Sequence, residues 1–269
     1  MKKIFCISLI LAFNVSLAFA QDATGLYEDG PEFFKPQVEH NRQFPSQKNL
    51  RLRPRRSQAI WGIVFELMNA DGTSTVLTDL NREALVKPAS TMKLFTGWYA
   101  YKRSTRTDTY LSKMLRESVN DMADQTLKAT GGKKALKKFY TERGVDMSAT
   151  RFIQADGSGL SYDNKATCGV EIDLLKLMYS DKSYDNFKVL LAQPGVIGTL
   201  EKRLLNLEGK VFAKTGTLKS TASLTGFLET DKGVVVFCIL SDYLSGGVKE
   251  ARERIDKTVT DYSDFIDNI

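Results

Sequence analysis

The stretch KVFAKTGTLKSTASLTGFLETDKGVVVFCILSD, residues 210–242, decides the fold because it predicts three consecutive β-strands. The segments KVFAKTGT, SLTGFLET and GVVVFCILSD are rich in Val, Phe, Leu and Thr. A polar step separates the first two, and the turn formers Asp231, Lys232 and Gly233 separate the last two. Strands with such short connections pair antiparallel. We therefore expect an antiparallel sheet, followed by a charged helix from about Val248.

A second group of strands lies closer to the start of the chain. The segments AIWGIVFELM and STVLTDL flank the turn NADGT and predict a β-hairpin that begins at Ala59. Between this hairpin and residue 210 the apolar residues recur at helical spacing. The pattern predicts an α+β fold, in which both ends of the chain build a central five-stranded antiparallel sheet that is flanked by helices.

The predicted helices surround one stretch that is dense in turn formers, DGSGLSYDN at residues 156–164. A break at Ser118, Val119 and Asn120 interrupts the first half of this helical section. The helical segments are MKLFTGWYAYK, YLSKMLRE, DMADQTLKA, GGKKALKKFYTERG, VEIDLLKLMYS and YDNFKVLLAQ.

The N-terminal part has the composition of an exported chain. Residues 1–20 combine two early lysines, an apolar stretch and small residues at Ala18 and Ala20, which predicts a signal peptide cleaved after Ala20. Residues 21–57 are polar, contain four prolines and show no regular period, so we interpret them as an extended N-terminal arm. The remaining segment, residues 58–269, has the size of one folded domain.

The net charge and the number of cysteines limit the classes of function that the sequence allows. Removal of the predicted signal leaves 36 basic residues (38 minus two lysines) against 32 acidic ones, a net charge of +4. This excess is too small to indicate nucleic-acid binding, and no basic recognition module accompanies it. Cys168 and Cys238 are too few for a disulfide framework, and their spacing leaves open whether they are bridged.

The stretch PASTMK, residues 88–93, sets the hydroxyl of Ser90 and the amine of Lys93 three residues apart at a predicted helix start. Residues at that spacing are neighbours, with roughly 5–6 Å between Cβ atoms, and a helix N-terminus offers free backbone amides. The single histidine, His40, lies in the arm, which argues against a Ser-His-Asp hydrolase and excludes a histidine-rich metal site. Lysine can act as the base if burial lowers its pKa, so neither a metal nor a cofactor is predicted.

Two further fragments complete the set in chain order. Ser118 and Asn120 flank Val119 at the helix break, and the sequence KTGT at 214–217 lies in a predicted strand. Taken singly, each has an ordinary explanation, such as a helix cap or an exposed strand lysine. Together the order Ser-x-x-Lys, Ser-x-Asn, Lys-Thr-Gly is shared by penicillin-binding proteins and class A β-lactamases.

With DGSGLS added, the chain resembles the type 4 low-molecular-mass penicillin-binding proteins, a family of D-alanyl-D-alanine carboxypeptidases and endopeptidases. The similarity covers about residues 58–245, and DGSGLS separates this family from the β-lactamases. It implies a β-lactamase/transpeptidase-like catalytic domain at 58–269. The implied activity is that of a serine D,D-peptidase, which acts on peptidoglycan stem peptides and cross-links through an acyl-enzyme and is acylated by β-lactam antibiotics. Together with the signal peptide, the resemblance implies a periplasmic location.

Carried over by position, the resemblance implies that Ser90 attacks the carbonyl of a D-Ala residue while Lys93 accepts its proton. Ser118 would then relay a proton to the leaving amine with the help of Lys214. Asn120 would hold the backbone amide of the substrate. These implied roles make up the predicted catalytic set.

The strand residues have separate implied roles. The backbone N–H groups of Ser90 and Thr217 would form the oxyanion hole. Thr215 and Lys214 would bind the substrate carboxylate. Gly216 would leave room for the substrate backbone along the strand.

The chain departs from this family in two places. Only 28 residues separate Ser90 from Ser118 (118 minus 90), so the inserted domains usual between the first two motifs are missing. The cleft is therefore expected to be open and to admit cross-linked muropeptides, which favours endopeptidase over strict carboxypeptidase activity. Val119 stands where Asp is common, and we expect a packing change there with little effect on the chemistry.

Other classes stay open. A serine β-lactamase would need a base for deacylation, and EKRLLN at residues 201–206 misses the usual Glu-x-x-Leu-Asn spacing by one residue. A non-catalytic module that binds peptidoglycan or β-lactams is the second alternative, although every polar residue of the motifs is retained. A glycosidase with paired carboxylates has no supporting motif. The oligomeric state is not predicted.

Overall fold

The computed structural model describes residues 59–268. The predicted signal peptide at 1–20 and the predicted arm at 21–57 lie outside the described residues. The outermost positions of the predicted domain, 58 and 269, also lie outside them. These segment boundaries stay predictions.

The central sheet joins the two ends of the described chain. Its five strands are all antiparallel to their neighbours. When the strands are numbered along the chain, their order across the sheet is second, first, seventh, sixth, fifth. Val64 on the first strand stands opposite Cys238 on the seventh, which is where the two ends meet. The predicted α+β class and five-stranded antiparallel sheet are confirmed. The strands are β1 (Ile60–Met68), β2 (Ser74–Leu80), β3 (Phe152–Ile153), β4 (Lys165–Ala166), β5 (Val211–Leu218), β6 (Thr221–Thr230) and β7 (Gly233–Asp242).

Both faces of the sheet carry apolar side chains. Successive residues of a strand point to opposite faces, so the neighbours Val64 and Phe65 lie on different sides. On one face Val64 and Cys238 belong to the main hydrophobic core. On the other face Phe65 stacks on Tyr262, with ring centroids 4.0 Å apart. Helices therefore have to cover the sheet on two sides.

The described residues 59–268 contain seven α-helices, of which the fifth and the seventh lie on the sheet. The first four pack on one another, the fifth packs on β1, β6 and β7, and the seventh packs on β6. Within residues 59–268, none of these helices is long and apolar enough to cross a bilayer. The helices are α1 (Met92–Lys102), α2 (Asp108–Arg116), α3 (Asn120–Ala129), α4 (Gly132–Thr141), α5 (Cys168–Tyr179), α6 (Tyr184–Lys188) and α7 (Val248–Asn268).

One predicted helix is shorter than its sequence suggests. The segment YDNFKVLLAQ predicts a helix over 184–193, whereas α6 ends at Lys188. Beyond it, Ala192 exchanges backbone hydrogen bonds with Ala213, at the outer edge of β5. An unpaired sheet edge offers backbone partners to a passing segment, and here this pairing replaces the last helical turns.

The small β3–β4 pair is absent from the sequence prediction because two-residue strands are too short to show alternation. The pair brackets the DGSGLS segment and holds its two ends together. Ala166 of β4 also pairs with Val86, a few residues before Ser90. The DGSGLS segment is thereby tied to the turn that carries the first motif.

Candidate active site

The Ser90 side chain is presented by a tight turn before a helix. Residues Ala89–Thr91 form a short 3-10 turn that leads directly into α1. Ala89 has a φ of 53°, in the left-handed region that residues with a Cβ seldom occupy. Thr91 Oγ1 lies 3.0 Å from the Pro88 carbonyl oxygen and 2.5 Å from Glu171 Oε1, so its one hydroxyl proton faces both acceptors. Ser90 lies two residues before the start of α1 and is only partly buried.

Lys93 is fully buried directly beneath Ser90. Its Nζ donates to Ser90 Oγ at 2.9 Å, to Asn120 Oδ1 at 2.7 Å and to the Ser158 carbonyl at 2.7 Å. Burial lowers the pKa of Lys93 to about 8, while the negative charges of Asp124 and Asp156 act in the opposite direction. A measurable fraction of the amine is therefore neutral near pH 7 to 8, as a general base requires.

A second lysine–serine pair lies in the same cleft. Lys214 on β5 donates from Nζ to Ser118 Oγ at 2.9 Å and to the Thr215 carbonyl at 2.8 Å. Lys214 is fully buried, and burial together with the positive charge of Lys93 holds its pKa well below the usual range. Two adjacent buried amines each contact a serine hydroxyl, so protons can be accepted and donated at two points.

Ser118 owes its position to the break between α2 and α3. Its φ is 62°, so the backbone turns sharply before Asn120 begins α3. Non-glycine residues in this region cost on the order of 1–3 kcal/mol and occur frequently at functional sites. The turn allows Ser118 to contact Lys214 while Asn120, two residues later, contacts Lys93.

The DGSGLS segment forms the wall behind Ser90. Asp156 accepts hydrogen bonds from the backbone amides of Gly159 and Ser161, which fixes the loop. Gly159 has a φ of 81°, and a Cβ at this position would lie 1.8 Å from the Ala89 carbonyl oxygen. The glycine is thus required because the loop backbone touches the nucleophile turn. This contact explains how the segment delivers the Ser158 carbonyl to Lys93.

The structure gives a reason for a glycine at position 216 that differs from the one inferred from the sequence. A Cβ at Gly216 would lie 2.6 Å from the Pro88 carbonyl oxygen and 3.1 Å from the Cβ atoms of Ala89 and Ser223. The missing side chain therefore allows β5 to approach the nucleophile turn. That Gly216 leaves room for a substrate backbone stays a prediction. Within the protein, the glycine is needed for the close contact between β5 and Pro88.

The remaining strand residues are also placed by the structure. Thr215 is buried, and its hydroxyl donates to Thr199 Oγ1 at 2.8 Å. Thr217 is half-buried and accepts a hydrogen bond from Arg252 Nη2 at 2.8 Å. The expected contacts of Thr215 with a carboxylate and of Thr217 with an oxyanion stay predictions.

Sequence reasoning missed four groups around the site. Thr199 and Arg252 contact motif residues but lie in no motif themselves. The backbone carbonyl of Ser158 lies within DGSGLS, but its hydrogen bond with Lys93 was not predicted.

Glu171, buried on α5, accepts a hydrogen bond from Thr91 at 2.5 Å and another from Thr225. No sequence signal distinguishes Glu171, because the same predicted helix also contains Asp173 and Lys176, which are only partly buried.

The sheet, the covering helices and the pair formed by Ser90 and the buried Lys93 define the fold class of the penicillin-binding proteins and serine β-lactamases. The crystal structure of TLA-1 extended-spectrum β-lactamase has this fold, with a TM-score of 0.64 at 16% identity over 78% of this chain and 93% of that chain. The chain belongs to the D-Ala-D-Ala carboxypeptidase 3 (S13) family, whose profile matches residues 99–262. The family resemblance inferred from the motifs is confirmed. The matched region contains the second and third motifs and begins after Ser90 and Lys93.

Two curated relatives support this assignment. D-alanyl-D-alanine carboxypeptidase DacB of Haemophilus influenzae is 29% identical over 164 residues, which cover 54% of this chain and 33% of that protein. The D-alanyl-D-alanine carboxypeptidase of Actinomadura sp. strain R39 is 32% identical over 110 residues, covering 38% of this chain and 20% of that protein. The chain thus spans a third or less of the length of these relatives.

Proposed function

We propose that the chain is a serine D,D-peptidase that cleaves peptidoglycan stem peptides through an acyl-enzyme and is acylated by penicillins. The observation that carries the proposal is the 2.9 Å hydrogen bond between Lys93 Nζ and Ser90 Oγ, made by a buried lysine whose pKa is lowered to about 8. A nucleophile paired with a base at this distance is the arrangement that covalent catalysis needs. The names of the two carboxypeptidase relatives supply the substrate class.

In the proposed reaction, the Ser90 hydroxyl attacks the carbonyl carbon of a D-Ala residue while its proton moves to Lys93. Ser118 donates a proton to the leaving amine and regains one from Lys214, whose Nζ is hydrogen-bonded to its hydroxyl at 2.9 Å. Water then attacks the Ser90 ester, its proton returns through Ser118 to Lys214, and Lys93 gives its proton back to the Ser90 oxygen. Asn120 Oδ1 holds the Lys93 ammonium at 2.7 Å and so fixes the base beneath the nucleophile.

We also propose that cross-linked peptides are substrates, so that endopeptidase activity accompanies carboxypeptidase activity. The motif serines Ser90 and Ser118 are 28 residues apart (118 minus 90), and α1 and α2 fill this interval without a further domain. An unobstructed approach on this side suits a branched substrate. Digestion of intact sacculi tests the proposal: loss of cross-linked dimers is expected, whereas persistence of dimers while pentapeptides disappear would contradict it.

The nucleophile is tested by intact-protein mass spectrometry after incubation with benzylpenicillin, with Ser90→Ala as the matched variant. A long-lived adduct on the wild type that is missing from the variant is expected. Unmodified protein together with intact penicillin would favour a non-catalytic binding module. Unmodified protein together with consumed penicillin would favour a β-lactamase.

A β-lactamase would need a carboxylate that activates water for deacylation, and the residue that the sequence suggested for this role is not positioned for it. Glu201 of EKRLLN lies on an exposed turn and not on a helix. Among residues 59–268, the Ser90 hydroxyl has the Lys93 amine as its hydrogen-bond partner and contacts no carboxylate. A slowly hydrolysed penicilloyl ester is therefore the expected product.

We propose a periplasmic location on the basis of the predicted signal peptide and the substrate class. Expression of the full chain in a Gram-negative host, followed by fractionation and N-terminal sequencing, tests this. A periplasmic product that begins at Gln21 is expected. A cytoplasmic product that keeps residues 1–20 would contradict the proposal.

A further inference from the structure

Two cysteines lie buried behind the candidate active site. Cys168 is the first residue of α5, and Cys238 lies in the middle of β7. Both are essentially inaccessible to solvent, and their Sγ atoms are 2.6 Å apart. Both are free thiols in the structure. Carbon atoms in van der Waals contact are roughly 3.5–4.0 Å apart and a disulfide bond is about 2.05 Å long, so the two sulfurs lie between contact distance and bond distance.

We propose that Cys168 and Cys238 form a structural disulfide in the mature protein, which links the first turn of α5 to the central strand β7. The backbone provides room for it. Gly62 on β1 faces Cys168, and a Cβ at Gly62 would lie 3.2 Å from the Cys168 sulfur. A larger residue at position 62 would crowd the sulfur that has to reach Cys238.

The pairing is unambiguous. In the described part of the chain, the free cysteines are Cys168 and Cys238. The third cysteine of the sequence, Cys6, lies in the predicted signal peptide. An exported chain therefore carries one possible bridge, and oxidising compartments outside the cytoplasm favour its formation.

The bond forms by thiol–disulfide exchange with an oxidant of the disulfide class. The two thiols lose two protons and two electrons, one S–S bond forms, and the oxidant is reduced to two thiols. In the folded core, burial raises the pKa of the Cys168 thiol and holds that of Cys238 well above its usual value, so thiolates are scarce there. Because both cysteines are buried in the folded protein and out of reach of an oxidant, the proposal places the exchange during folding, before α5 closes on the sheet.

The proposed bond would connect β7 to helix α5, which contacts the nucleophile turn through Glu171. Cys238 Sγ lies 3.5 Å from Glu171 Oε2, on the same helix that begins at Cys168. Glu171 in turn accepts the hydroxyl of Thr91, the residue after Ser90. Because the contact to Ser90 is indirect, the disulfide is expected to affect stability more than acylation.

The direct test is a thiol map of the wild-type protein. The full chain is expressed with its own N-terminus, quenched in acid, alkylated with iodoacetamide under denaturing conditions without reductant, and digested. A linked peptide pair that contains Cys168 and Cys238, and that is alkylated only after reduction, is expected. Alkylation of both cysteines before reduction overturns the proposal.

A second measurement compares stability with and without the bond. Refolding in oxidised and reduced glutathione should give a melting temperature higher by roughly 5–15 °C than refolding in a phosphine reductant. The double variant Cys168→Ala/Cys238→Ala should show no dependence on reductant. Equal melting temperatures for wild type in both conditions would contradict the proposal. Penicillin acylation of Ser90 is measured in parallel, so failure of the disulfide and failure of the peptidase assignment are distinguishable.

Discussion

At the residue scale, the site depends on an amine whose pKa burial lowers until part of it is neutral and can accept a proton. Lys93 makes three hydrogen bonds from Nζ, yet none of its partners is a carboxylate. Burial therefore dominates the pKa of Lys93, and the more distant charges of Asp124 and Asp156 only partly offset it.

The first prediction concerns the pH dependence of acylation. Because only neutral Lys93 accepts the Ser90 proton, the second-order rate constant for benzylpenicillin acylation should rise as pH increases through about 8. Stopped-flow or quenched mass-spectrometric kinetics between pH 5 and pH 10 would measure it. A rate that is flat across pH 7 to 9 would exclude Lys93 as the titrating base.

Asp124→Asn is the matched control for this profile. Asp124 Oδ1 accepts the Gly157 amide at 2.8 Å, and the asparagine carbonyl can keep that bond. The substitution removes a negative charge that raises the pKa of Lys93. The rise in acylation should consequently move to lower pH, and a move to higher pH would contradict this assignment.

The second prediction concerns Glu171, whose burial raises its pKa to about 7 although Thr225 and Thr91 donate to it. A raised folded-state pKa means that this carboxyl contributes less stability as pH rises from about 4.5 toward 7 and above. Glu171→Gln removes that loss. Urea unfolding at pH 5 and pH 8 should show the variant gaining on the order of 1–3 kcal/mol relative to wild type at the higher pH.

An exposed carboxylate provides the comparison for Glu171. Glu201→Gln changes the same functional group on a solvent-exposed turn. Because this side chain is exposed, the substitution should change the free energy of unfolding by less than about 0.5 kcal/mol. A pH-independent effect of Glu171→Gln would show that hydrogen bonding, and not titration, determines its contribution.

At the element scale, two segments that are distant in sequence from the nucleophile turn, residues 88–91, pack against it. The DGSGLS loop touches it at Gly159, and strand β5 touches it at Gly216. Both contacts are made by backbone and need the absence of a side chain. The turn is therefore held in its left-handed conformation at Ala89 by packing and not by local propensity.

The third prediction uses two glycines with the same backbone conformation. Gly159 and Gly144 both have a φ of 81°, but only at Gly159 would a Cβ meet the chain, at 1.8 Å from the Ala89 carbonyl. Gly144→Ala should cost about 1 kcal/mol of unfolding free energy and leave acylation unchanged. Gly159→Ala should cost roughly 3 kcal/mol or more and abolish acylation of Ser90. Equal effects of the two substitutions would contradict the packing role of Gly159.

At the scale of the whole molecule, the domain is closed on one side by the C-terminal helix. Tyr262 on α7 stacks on Phe65 of β1 with ring centroids 4.0 Å apart, and it also contacts Thr78 of β2. The helix thus joins the last part of the chain to the first hairpin. Its apolar stripe covers the sheet face opposite to the one that α5 covers.

The fourth prediction is that Tyr262→Ala destabilises the whole domain. Removal of a buried aromatic side chain typically costs about 3–5 kcal/mol, and here it leaves the Phe65 face uncovered. Lys249→Ala on the same helix is the control, because its side chain is 92% exposed, and it should change stability by less than about 0.5 kcal/mol. Chemical denaturation of both variants measures this, and equal losses would contradict the role of the stack.

The sequence by itself determined the five strands of the central sheet, most helices and the motif residues, because these depend on local patterns. Short runs rich in apolar and β-branched residues on either side of a turn specify β1 and β2. The spacing of three residues between Ser90 and Lys93 brings their side chains together on one turn. The helix predicted over 184–193 failed in its second half because pairing with the edge of β5 overrode the helical pattern.

Only the tertiary structure decided how the separate motifs meet. The contact of Lys93 with the Ser158 carbonyl and the buried pairing of Ser118 with Lys214 join residues 65 and 96 positions apart, respectively. The reason for Gly216 and the approach of Cys168 to Cys238 likewise depend on which segments fold against each other. Local pattern carries no information on such contacts, since they arise when the sheet closes and excludes water from the groups between its elements.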